Sequence, residues 1–218
     1  MIVPAPQYEA FVLPAWLTWR RAGKRCALLT LVAAHGGSPR PVGSQMAVNE
    51  DGESRGFISG GCIERALVLD AIEVMAGGHS RTERYGEGSR FNDLRLPCGS
   101  GIDVHFEVML SETTVAEVVA SHAARRPAVL DLDLGDRRFT RAYAPRIRLV
   151  LVGQGPIMTF AARFAIALDM EVMAFTPDDD ARDSLRRLAA AVHPLPSPET
   201  FEAGVLDRFS VLVVLFHD

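Results

Sequence analysis

The chain has 218 residues, 48% hydrophobic and 23% charged, which is the balance of a folded protein with length for one large core or two small ones and excludes a disordered chain. A net charge of -4 and an isoelectric point near 5.9, with the arginines scattered as pairs beside helical patterns, leave no electrostatic footprint for nucleic acid, so no nucleic-acid partner is expected. The longest apolar runs, Ala27 to Ala34 and Val211 to Phe216, fall far short of the roughly 20 residues of a membrane helix, so no membrane partner is expected either.

The N-terminus carries no basic segment followed by an apolar one, which makes the cytoplasm the expected compartment. Three cysteines, an odd number without CxxC or Cys/His ligand spacing, argue against a disulfide scaffold and agree with a reducing compartment. Their equal spacing at Cys26, Cys62 and Cys98 is read as chance, because the flanking residues share no pattern.

Tyr8, Phe11, Val12, Ala15, Trp16 and Trp19 recur at three- and four-residue intervals and predict an opening helix that ends near Gly23. Cys26 to Ala34 follows as a buried strand, broken by Gly36-Gly37-Ser38-Pro39-Arg40-Pro41. Gln45 to Val48 and Arg55 to Ile58 flank the turn residues Asn49 to Gly52 and predict a hairpin leading into Ser59-Gly60-Gly61-Cys62. Helical spacing from Ile63 to Val74, stopped by Gly77-Gly78, then places Cys62 at or near a helix N-terminus.

Arg81 to Tyr85 and Asp103 to Val108 read as two further strands, the second with Val104, Phe106 and Val108 on one face and His105 and Glu107 on the other. Between them lies a polar stretch closing with Leu96-Pro97-Cys98-Gly99-Ser100-Gly101. Val115 to Arg125 is a short helix, and Ala128 to Leu134 turns back at Gly135-Asp136 into Phe139 to Tyr143, with Asp131 and Asp133 on a solvated face.

From Arg146 the pattern becomes strand, glycine turn, helix: Ile147 to Val152, Gly153-Gln154-Gly155, then Ile157 to Leu168. Further alternation through Glu171 to Phe175, Ala181 to Ala190, Ala191 to His193 and Val211 to Phe216 favours a parallel sheet. The fold class is therefore α/β, with a mixed N-terminal domain over residues 1–144 and a Rossmann-like parallel-sheet domain over 145–218.

The blocks Gly37 to Met46, Ser59-Gly60-Gly61-Cys62-Ile63-Glu64 and Leu96 to Val104 resemble, in order and spacing, the signature of the XdhC/CoxI family of molybdenum cofactor maturation proteins, also known as xanthine dehydrogenase accessory factors. The resemblance implies a chaperone that binds the often sulfurated molybdopterin cofactor, shields it and delivers it to an apo molybdenum hydroxylase of the xanthine or CO dehydrogenase type. Such a protein is a maturation factor rather than a catalyst, and a cofactor sulfurase would be a second partner. Members usually carry a C-terminal Rossmann-like domain that continues past the position of His217-Asp218, so this one is expected to be incomplete. Its open sheet edges make a homodimer the expected assembly.

A molybdopterin presents a phosphate, a hydrogen-bonding pterin edge and a soft metal–sulfur centre. Backbone N–H groups of Ser59, Gly60, Gly61 and Cys62 at a helix N-terminus suit the phosphate, and Ser38 and Arg40 lie in the first block, where the arginine offers a bidentate grip on an oxyanion. Cys62 and Cys98 are the candidate molybdenum contacts, with Gly99 beside the second. Glu64, one turn into the helix, is set to orient a pterin N–H or to complement the helix dipole.

Gly153 and Gly155 are the candidate nucleotide-facing residues of the second domain, but NAD(P) is doubtful there. Met158 stands where a small residue is wanted, Thr176 where an acid would hold the ribose, with Asp178 two positions late, and Pro156 removes an N–H. The rival readings are an NAD(P)-dependent oxidoreductase with a degenerate Rossmann site, and a docking scaffold that binds no cofactor.

Overall fold

The computed structural model describes residues 11–38, 40–89, 101–188 and 190–216. They form two compact units, Met1–Tyr143 and Ala144–Asp218.

The N-terminal unit is built on a five-stranded antiparallel sheet in the order β3-β2-β1-β5-β4. Its central strand, β1 (Cys26–His35), is buried on both faces over most of its length, which is why its sequence is a continuous apolar run without alternation. β2 (Gln45–Asn49) and β3 (Ser54–Gly56) form the expected hairpin, and Asn49 ties the turn by accepting the N–H groups of Asp51 and Glu53 on its Oδ1. β4 (Arg81–Gly86) and β5 (Gly101–Glu107) complete the sheet, with β5 against β1.

One face carries α2 (Glu64–Gly77), whose Leu67, Ala71, Val74 and Met75 pack on Leu29, Leu31, Ile102, Val104 and Phe106. The helix ends as its glycines predict, with Gly78 in the left-handed region at φ 71° returning its N–H to Val74. On the other face lie α1 (Leu13–Arg21), α3 (Glu112–Ala123) and the hairpin of β6 (Ala128–Asp133) and β7 (Arg138–Tyr143), which together with Cys26, Leu28 and Ala47 enclose a second core around Trp16 and Tyr143. Asp131 and Asp133 face solvent, as the alternation predicts, whereas Tyr8 lies outside the described residues.

β5 does alternate, but its polar face is not wet. His105 is 2% and Glu107 8% exposed: Thr82 Oγ1 lies 3.0 Å from His105 Nδ1, Ser80 donates to Glu107 at 2.6 Å, and His105 Nε2, without a hydrogen bond among the described residues, faces Glu107 Oε2 at 3.6 Å. Buried carboxylates and imidazoles persist only with such partners.

The C-terminal unit is a parallel sheet in the order β10-β9-β8-β11, formed by β8 (Arg148–Gly153), β9 (Glu171–Thr176), β10 (Ala191–Pro194) and β11 (Ser210–Leu215). α4 (Pro156–Ala167) and α5 (Asp179–Arg186) cover one face through Met158, Ala162, Ala165 and Leu185. The strand order reverses beside β8, so the turn after Gly153 lies at a topological switch point. A Cβ on Gly153 would meet the carbonyl oxygen of Leu215 at 2.4 Å, so the close approach of β11 demands glycine there.

Phe106 is fully buried in β5 between β1 and α2. Phe106→Ala is expected to destabilise the N-terminal unit by about 3–5 kcal/mol, read as a lower urea midpoint; a loss well under about 1 kcal/mol would contradict this packing.

Candidate functional site

The register of the antiparallel sheet gathers the site loops at one end. His35, the last residue of β1, pairs with Gly101, and Gly86, the last of β4, pairs with the same glycine. β2 begins there at Gln45, opposite Thr30, and β3 leaves towards it at Gly56. The segments 36–44 and 57–63 and the chain's exit from β4 and re-entry into β5 therefore share that end.

The second of these segments is organised by one carboxylate. Glu64 Oε1 accepts the backbone N–H groups of Ile58 (3.1 Å), Ser59 (2.7 Å) and Gly60 (3.1 Å), while Oε2 accepts the Gly61 N–H (2.8 Å) and the Ser59 hydroxyl (2.6 Å). Curling successive N–H groups around one anion requires positive φ, met by Gly60 at 85° and Gly61 at 114°. Burial opposes ionisation of Glu64, but the Ser59 hydroxyl and the N–H groups of Ser59 and Ile58 outweigh it and hold the carboxyl below its usual range.

This changes the roles expected for the loop. The N–H groups of Ser59, Gly60 and Gly61 are aimed at Glu64, not offered to a phosphate, and a carboxylate that already accepts five hydrogen bonds has no lone pair left for a pterin N–H. What the loop presents to solvent is Cys62, exposed and with a free thiol, two residues before the first residue of α2. Cys26 is its opposite, enclosed in the sheet with its thiol pushed up to about 11 by burial.

Arg40 comes from the first block and lies over the Phe57 ring with its guanidinium carbon 4.3 Å from the centroid. That contact joins the first block to the strand exit that leads into the Cys62 loop. Arg40 Nε is sealed from solvent and has no hydrogen-bond partner among the described residues, so Arg40 is a stacked cation and not a loosely hydrated one. Ser38 turns inward on its own loop, its hydroxyl donating to the Arg40 carbonyl at 2.8 Å. Cys98 and Gly99 lie outside the described residues. Among the described residues no group of three or more His, Cys, Asp or Glu side chains is placed to hold a metal ion.

Sequence reasoning missed a charged cluster at the same end. Arg84 grips Asp103 through Nε (2.7 Å) and a terminal nitrogen (3.0 Å), and His35 Nε2 lies 3.0 Å from the same carboxylate. Arg84 holds the Asp103 carboxyl below its ordinary range against partial burial, with His35 adding to the effect. The three residues sit on three strands, so only the pairing register brings them together. It also missed a pocket of about 350 Å³ beside Ser80, His105, Glu107 and Asp133, because a periodic strand pattern does not show that its polar face is covered.

In the C-terminal unit a pocket of about 330 Å³ opens beside Gly155, Pro156, Thr159, Phe160 and Asp178. Thr176 is fully buried and accepts the Asp178 N–H, and Asp178 uses Oδ1 to cap α5 on the N–H groups of Asp180 and Ala181. Met158 fills the core beneath α4. The residues that would read a ribose are thus engaged in holding their own helix.

Residues 19–86 match the XdhC and CoxI family. The molybdenum cofactor insertion chaperone PaoD of Escherichia coli (strain K12) is 44% identical over 112 residues, which is 51% of this chain and 35% of that protein, so the match spans about a third of the relative's length. A crystal structure of a xanthine dehydrogenase from Bacillus halodurans aligns with a TM-score of 0.77 over 94% of this chain and 74% of its own, at 18% identity, a likeness of fold.

Because the folded-state pKa of Asp103 is depressed, its contribution is present above the unfolded carboxyl range near pH 4 and is lost as pH falls through the folded value. Asp103→Asn is expected to be less stable at neutral pH by about 1 kcal/mol and to lose less on acidification, so that the two stability curves converge at low pH. Parallel curves in urea unfolding from pH 7 to 3 would show that the pair carries no such linkage.

Proposed function

From the match of residues 19–86 to the XdhC and CoxI family, we propose that this chain is a molybdenum cofactor chaperone, which binds the cofactor, shields it and passes it to an apo molybdenum hydroxylase of the xanthine or CO dehydrogenase type. The observation that carries this reading is the exposed Cys62 thiol on a loop held by five hydrogen bonds, at the sheet end that also holds Arg40 stacked on Phe57. The similarity to a protein named as an insertion chaperone supports it.

The donor set fits such a cargo in two respects and departs from the expected layout in one. A thiol near a helix N-terminus is a suitable soft contact for a metal–sulfur centre. A guanidinium held over an aromatic ring is a suitable host for an oxyanion or for the edge of a heteroaromatic ring. The phosphate, however, falls to Arg40 in this arrangement, because Glu64 already occupies the loop N–H groups. Ser38 supports Arg40 through its loop, and Cys98 with Gly99 completes the proposal as the second sulfur-bearing segment.

A cofactor sulfurase as second partner, a homodimer and a cytoplasmic location belong to the same proposal. No helix among the described residues is long and apolar enough to cross a membrane. Against the oxidoreductase alternative stand the buried Met158 and Thr176 and the missing N–H of Pro156 near Gly153 and Gly155.

The protein purified anaerobically from cells that make molybdenum cofactor is expected to carry molybdenum and releasable pterin near one per chain, and to lose them in Cys62→Ala or Cys98→Ala. Wild-type protein that takes up none, even when incubated with the free cofactor, would remove the chaperone reading; retention of a molybdenum hydroxylase partner in that case would favour the docking scaffold.

A further inference from the structure

The Ser59 to Cys62 loop has no regular secondary structure, yet each N–H from Ile58 to Gly61 has a partner, and all four share the Glu64 carboxylate. Ser59 works twice: its hydroxyl donates to Glu64 and accepts the Ile63 N–H at 3.2 Å, which links the loop to the residue that caps α2. Glu64 is the first residue of that helix, so its backbone is fixed by the helix while its side chain reaches back over the loop.

A hydrophobic contact could hold a loop in place, but only an anion can satisfy four converging N–H dipoles at once. Gly60 and Gly61 add no side chain that could hold the turn, and a Cβ built on either meets nothing within 4 Å, so packing does not set their conformation. The carboxylate is what keeps them in the left-handed region.

We propose that Glu64 is a positioning residue, a built-in anion that occupies the site a ligand phosphate would otherwise take and so fixes the loop on which Cys62 meets its ligand. The second half of this statement rests on the chaperone reading; the first does not. The loop is then closed to external oxyanions in the wild-type chain and opens to them when the carboxylate is removed.

The test replaces the carboxylate from solution. In Glu64→Ala, amide hydrogen exchange across residues 58–61 is expected to accelerate by about tenfold or more, and acetate on the order of 100 mM to restore protection by mass action. Acetamide, equal in size but uncharged, should restore none. Wild-type exchange should be unmoved by acetate and by inorganic phosphate. Cofactor retention, measured on the same samples, should fall in the variant and recover with acetate.

Equal rescue by acetamide, or no rescue by acetate in a variant whose circular dichroism remains native, would overturn the proposal. So would wild-type protection that changes with phosphate. If the alanine variant does not fold, Glu64→Gln keeps the volume but offers one acceptor oxygen and no charge; wild-type protection in that variant would likewise overturn the role of the anion. Should the wild-type chain hold no cofactor, the chaperone reading falls while the exchange measurements still decide the role of Glu64.

Discussion

β1 must be apolar on both faces because it separates two cores, one under α2 and one under α1, α3 and the β6–β7 hairpin. This requirement orders the rest of the N-terminal unit. The strand's own unbroken apolar run does not set its register; its partners do, because Thr30 accepts a buried hydrogen bond from Gln45 of β2 at 3.0 Å and a one-residue slip of β5 would turn Ile102, Val104 and Phe106 away from the α2 core. Fixed register in turn delivers His35, Gln45, Gly56, Gly86 and Gly101 to one end of the sheet. Segments far apart in sequence become neighbours there without any one of them specifying the meeting place.

The rest of the loop chemistry is local. Cys62, Glu64 and Ser59 lie within six consecutive residues, and their geometry follows from where a helix starts and which glycines precede it. The distribution of ligand groups follows too. On the proposed function, because the carboxylate satisfies the N–H groups, the Cys62 thiol and the Arg40 guanidinium are the hosts among the described residues for a metal–sulfur centre and a phosphate, one soft and one hard.

Much of the fold was legible in the sequence because it is written in short-range patterns. Helical spacing located α2 and its glycine stop, alternation located the β6–β7 hairpin, and the strand, glycine turn and helix after Arg146 announced the parallel sheet. The site was legible only in outline. That Cys62 stands before a helix could be read from spacing, but whether Gly60 and Gly61 aim their N–H groups at a ligand or at Glu64 depends on a side-chain rotamer that no pattern records. The union of Arg84, Asp103 and His35 depends on strand order, and the burial of His105 and Glu107 depends on what covers the sheet, neither of which a single strand's sequence contains.

Arg40 lies over the Phe57 ring with its Nε already out of solvent. A free arginine gives up side-chain entropy when it clamps an anion, whereas one already laid on a ring has little rotational freedom left to surrender. Such preorganisation barely alters how often an anion arrives and acts on how long it stays. On the proposed function, truncating Phe57 would therefore shorten the residence time of an anion at Arg40 without removing a charge, which would make an uncharged ring a determinant of how quickly that anion is released.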